Sequence, residues 1–161
     1  MQELFLENKI IIVFLHVISA VVWVGGMIAM RFAAHQSFLE IENPLKRLER
    51  ISHALKRLFS IVLPFVIILL ITAIFMIKGY GLSQTEFSAL AHAKEGIWSV
   101  MFLNLLVMMF RRNKAEKMLA NGDTLGAKAQ LGMIGKYMVP VNIILGVIAI
   151  FLGTQLSSSL K

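Results

Sequence analysis

The chain has 161 residues, of which 58% are hydrophobic and only 16% charged. Its mean hydropathy of +0.78 leaves too little polar surface for a water-soluble domain of this size. The absence of cysteine excludes disulfides, thiolate metal sites and thiol catalysis, and the net charge of +7 is no nucleic-acid signature, because the basic residues flank apolar segments as membrane topology requires.

In chain order, residues 1–8 carry two glutamates and no basic region, so no cleavable signal is expected. Four stretches then approach the roughly 20 apolar residues that cross a bilayer. Span one runs from Lys9 to Met30. From Pro44, a first-position helix residue, Leu45, Leu48, Ile51, His53, Leu55 and Leu58 alternate with basic residues at helical spacing. This amphipathic helix is expected to lie at the interface and feed into span two, Leu58 to Ile77, which contains Pro64. Ser83 and Glu86 have capping-box spacing, so the third helix can start before the membrane does and hold His92 within it. Span three covers Leu90 to Phe110, and a structured polar stretch from Lys114 to Gln130 is broken at Asn121-Gly122. Span four covers Tyr137 to Leu156, with Pro140 in its first turn. The expected architecture is all-α, one four-span membrane bundle over residues 1–161.

Charge orients the bundle. Arg31, Lys46, Arg47, Arg50, Lys56 and Arg57 lie between spans one and two; Arg111, Arg112, Lys114, Lys117, Lys128 and Lys136 lie between spans three and four. These are twelve of the sixteen basic residues, which places both loops in the cytoplasm and both ends of the chain outside. A multi-pass protein of a bacterial inner (plasma) membrane is expected.

The four histidines carry the chemistry. His16 lies inside span one, where a polar side chain is costly and marks a functional site. At 1.5 Å per residue it stands roughly 22 Å above the inner arginine Arg31, and His92 stands roughly 28 Å above Arg111. The two are level enough to meet one metal ion or one porphyrin. His35 and His53 form a more speculative pair on the cytoplasmic side. The competing reading is ordinary: a span histidine can hydrogen-bond a neighbouring helix, and edge histidines are common polar residues. Lys94 follows His92 and either snorkels to the outer surface or meets a ligand carboxylate; His92 and Glu95 share a helix face. Asn104 and Asn142 suit an interhelical hydrogen bond. Trp23 lies too deep for an interfacial belt, and Gly25 and Gly26 beside it admit a neighbouring helix or a flat ligand. Met27 and Met30 could serve soft Cu(I), although methionine is mostly a core filler.

Span one, LHVISAVVWVGGMIAMRFAAH, resembles the first helix of the CopD-like membrane family and of the related HemJ-type protoporphyrinogen oxidases. The shared positions are His16, Trp23 and Gly26. His92-Ala93-Lys94 is similar to the His-x-Lys that opens the corresponding HemJ helix, and LKRLFSIVLPFVIILLITAIF matches the basic-then-proline pattern of the second span. The resemblance implies a four- or five-helix bundle. It implies b-type haem held by histidine in the HemJ branch, and copper uptake or tolerance in the CopD branch. After Gly26 the sequence departs from HemJ: MIAMRFAAHQS replaces its Tyr, Leu-Pro-Arg and Val-Tyr-His elements, and His35 falls two positions early. HemJ-type oxidoreductase activity is therefore less strongly implied than a shared haem pocket.

Three functions follow. The first is a redox-active protein holding one or two b-type haems through His16 and His92, with Trp23, Gly26 and Lys94 lining the pocket and His35 and His53 as a second site. It would carry electrons, or act on quinone or porphyrin drawn from the bilayer, with a redox partner protein. The second is a copper transport or tolerance protein using the same histidines, and the third is a structural subunit of a membrane complex. Self-association stays open, since no span contains GxxxG and Gly146 with Gly153 is the nearest substitute.

Overall fold

The computed structural model describes residues 2–81 and 88–159. Its helices are α1 (Gln2–Glu7), α2 (Lys9–Ile28), α3 (His35–Leu39), α4 (Pro44–Gly79), α5 (Ser88–Ala120), α6 (Thr124–Met133) and α7 (Val139–Ser159), and the described residues contain no strand. Wider π-helical turns at Ala29–Ala34 and Ile134–Met138 join α2 to α3 and α6 to α7. Four continuous rods result, Lys9–Leu39, Pro44–Gly79, Ser88–Ala120 and Thr124–Ser158, each long and apolar enough to cross a membrane. The all-α bundle expected from sequence is the architecture observed.

The rods outrun the bilayer. At 36 residues α4 is about 54 Å long, against a hydrocarbon core of about 30 Å. Its amphipathic first third belongs to the same continuous helix as the span, so the segment does feed into span two, and a rod of this length extends beyond the bilayer core. Its start is sealed twice. The Asn43 side chain accepts from the amides of Leu45 and Lys46 at 3.0 and 3.1 Å, with Pro44 at the first position. The Arg47 guanidinium donates to the Ile41 carbonyl through Nε at 2.9 Å and through its terminal nitrogen at 2.6 Å. Between α5 and α6 the chain turns at Gly122, whose φ of 78° suits glycine, and Asp123 caps α6 by accepting from the Gly126 amide at 2.8 Å. The π-helical turn at Ile134–Met138 lies just before Pro140, whose ring cannot donate to the preceding turn and crowds it. Ser83 and Glu86 lie outside the described residues, while His92 does sit inside a continuous helix.

The spans pack in the ring α2–α4–α5–α7, with α6 at the start of the fourth rod also touching α4, which puts α2 and α5 on opposite sides of the bundle axis. Trp23, Met27, Val62, Val66, Leu105, Met108 and Ile134 fill that axis and are essentially inaccessible. The outward faces carry Ile10, Phe14, Val21, Ile61, Ile67, Leu103, Phe110, Ile144, Val147 and Phe151, all exposed. An apolar belt of this extent matches a lipid environment, and the chain is a multi-pass membrane protein. Small residues set the close approaches. A Cβ at Gly26 would lie 3.0 Å from Leu58 Cδ1 of α4, and one at Gly146 would lie 2.5 Å from Val24 Cγ2 of α2. Gly26 thus admits a neighbouring helix, whereas Gly25 faces open space.

Candidate functional site

His16 is the histidine the fold holds most specifically. It projects from α2 toward α4, half-buried, with Nδ1 3.0 Å from Thr72 Oγ1. Thr72 is buried, and its single hydroxyl proton is directed at the Ile68 carbonyl at 2.7 Å, with the Leu69 carbonyl at 3.0 Å. With that proton engaged, Thr72 can only accept from the ring, so His16 carries its hydrogen on Nδ1. The ring also lies within hydrogen-bond reach of the Leu69 backbone. A ligating imidazole has one nitrogen anchored through its N–H and the other turned to the metal. One imidazole oriented in this way is the donor that a haem iron held through a single axial histidine would need.

Sequence depth explains the contact. His16 is seven residues inside Lys9, and Thr72 is seven residues inside Gly79, so the two are level at one end of adjacent antiparallel rods, the end expected from charge to be the outer one. Thr72 is the hydroxyl in the outer half of span two, and that matching depth was the signal by which it could have been found.

The other expected residues fall into different places. Trp23, two turns inward of His16 on the same helix, is 1% exposed, and its indole N–H has no acceptor among the described residues. Lys94 is half-buried on α5, with its ammonium across α7 at Gly153, and it lies within electrostatic reach of His16. His92 turns the other way. Its side chain is 72% exposed, and Nδ1 is 3.0 Å from Glu95 Oε2 on its own helix, with no hydrogen bond to His16. On the inner side His53 is exposed and His35 half-buried, and no hydrogen bond or ion pair joins them among the described residues. Met27 is fully buried in the core; Met30 packs against that core. Among the described residues no three His, Asp or Glu side chains cluster as a bare metal ion would require. Below this level, Gly26, Ala29, Met30, Ala33, Ala34, Ser37 and Leu58 line an open apolar groove of about 510 Å³ on the inner half of the first rod.

Two polar networks lie nearer the inner side, and only one was expected. Asn104 Nδ2 donates to Asn142 Oδ1 at 2.8 Å and to the Met138 carbonyl at 2.9 Å, and Asn142 Nδ2 donates to the Met101 carbonyl at 3.2 Å. The second network centres on Arg112, which sequence reading counted only as a topology charge. It is 2% exposed, grips Glu116 through both terminal nitrogens at 2.8 and 2.9 Å, and donates Nε to the Ser52 carbonyl of α4 at 3.0 Å. The i,i+4 spacing of Arg112 and Glu116 was legible, but the burial was not.

Comparisons with protein-family models, curated proteins and solved structures return no match to this chain.

Proposed function

We propose that this chain is a redox-active membrane protein that binds one b-type haem, with His16 as an axial ligand. The observation that carries the proposal is the His16–Thr72 hydrogen bond of 3.0 Å, which orients the ring through Nδ1 and would leave Nε2 for the iron. Haem iron held by imidazole supplies one-electron transfer. The protein's own part is to orient that imidazole, to exclude water with the apolar belt, and to present Trp23 and Lys94 along the same axis. Quinone, porphyrin or a redox protein would exchange electrons with it, and the first two reach the bundle through the lipid. The clustering of basic residues between spans one and two and between spans three and four supports a topology with both ends of this chain on the non-cytoplasmic side of a bacterial inner membrane. Copper binding is the weaker alternative, because Met27 is core and His92 points away from His16.

The test is optical. Protein purified in mild detergent after expression with ample haem is expected to show a Soret band that shifts on dithionite reduction, and pyridine haemochrome should give close to one haem per chain. A colourless preparation defeats the proposal. Two haems per chain would instead revive the inner pair His35 and His53.

A further inference from the structure

Among the described residues, one cation at the outer end of the bundle axis has no counter-charge. Lys94 sits half-buried on α5, and its ammonium lies where a side chain at Gly153 would be, 3.0 Å from the position a Cβ would take. Among the described residues it makes no hydrogen bond or ion pair, since the adjacent Glu95 is engaged by His92. His16, within its electrostatic reach, carries no negative charge. One turn inward on the same face of α5, the Trp98 indole N–H is also buried without an acceptor, while its ring stacks on Phe102 at 4.9 Å. Lys9 and Lys78, which share this end of the bundle, are exposed, as snorkelling lysines are. Lys94 instead turns inward. A buried donor without an acceptor, such as the Trp98 indole N–H, is costly in a membrane and points to a missing partner, and a half-buried cation beside it calls for an anion.

We propose that Lys94, seated against Gly153 at the outer end of the bundle axis, receives the carboxylate of a ligand whose apolar body enters from the lipid. A carboxylate offers two acceptor oxygens and no donor, which complements an ammonium and an indole N–H. An apolar body suits the walls that Trp98 and Phe102 provide, whereas the polar backbone of a phospholipid headgroup does not. The carboxylate could come from a propionate of haem or from a free long-chain acid. The proposal rests on Lys94, Gly153 and Trp98, and it stands whether or not His16 binds iron.

The experiment uses the full chain in phosphatidylcholine nanodiscs, with stearic acid spin-labelled at carbon 5 and its methyl ester as paired probes. Electron paramagnetic resonance reads the immobilised fraction of each at equal mole fraction, at a pH where the acid is ionised. The acid is expected to associate about fivefold more strongly than the ester, the scale of a single partly exposed ion pair. Lys94→Gln should erase that preference, and Gly153→Leu should weaken it by filling the ammonium's seat. Lys78→Gln should leave it intact. Equal immobilisation of acid and ester by the unmodified chain overturns the proposal, as does a preference that survives Lys94→Gln. Haem-saturated chain separates the two sources. Loss of the acid preference identifies a haem propionate as the resident carboxylate, and its retention identifies a free acid. A colourless preparation would remove the haem proposal and leave the acid–ester comparison fully readable.

Discussion

The inner and outer halves of the bundle use polar residues in different ways. In the inner half Arg112 bonds Glu116 and the Ser52 carbonyl, and Asn104 and Asn142 bond each other and backbone carbonyls, while the Ser52 hydroxyl and the Trp23 indole N–H are buried without a partner among the described residues. In the outer half His16 is anchored on Thr72 through Nδ1, and among the described residues Lys94 and the Trp98 indole N–H have no acceptor. Closed networks hold helices in register, while open ones wait for a ligand. Under the proposals above, the difference separates residues that build the bundle from residues that would hold a ligand.

Substitutions can break that division, and the largest effect is expected where the network is most enclosed. Arg112→Ala removes a buried guanidinium and leaves Glu116 and the Ser52 carbonyl without their partner, which should cost about 2 kcal/mol, kept modest because Glu116 is itself partly exposed. Thermal unfolding in detergent would read this as a drop of several degrees, with the haem spectrum unchanged once the protein is folded. A lost spectrum at temperatures where Arg112→Ala is still folded would erase the distinction between the halves. Thr72→Val should act the other way. It removes the oxygen that orients His16, so haem affinity is expected to fall about tenfold, with little loss of stability. Competition with apomyoglobin measures that shift directly. Asn142→Leu is expected to cost about 1 kcal/mol in the same melting experiment, the scale of a hydrogen bond between membrane helices. The smallest effect belongs to His92→Ala. Its ring is exposed and bonded only to Glu95, so absorption and melting should both stay at wild-type values. A spectrum altered by His92→Ala would bring back the outer pair expected from depth alone.

Much of the scaffold was legible in the residues. Hydropathy gave the four spans, Asn121-Gly122 gave the turn before α6, and Pro44 after Asn43 gave the start of α4. The Asn104–Asn142 bond was legible too, because an amide inside a membrane helix has few acceptors to choose from. Azimuth was harder to read than depth. His16 and His92 are close in height, but a helix face is fixed by which neighbours pack on it, and the ring order α2–α4–α5–α7 leaves His92 on the outward side. Thr72 was overlooked for the same reason, since its role depends on α2 and α4 being adjacent. Arg112 shows the opposite error. Its position at the inner end of span three suggested a solvated topology charge, and only the length of α4 and α5 beyond the bilayer lets Ser52 cover it.

His16 is the residue on which the functional proposal depends, and the visible spectrum of His16→Ala, prepared beside the unmodified chain with excess haem, tests it most directly. The expected result is a Soret band in the unmodified protein and its loss in His16→Ala, with melting temperatures of the two apoproteins within a few degrees. A full, reducible spectrum retained by His16→Ala would show that the iron sits elsewhere and that the His16–Thr72 bond only joins two helices.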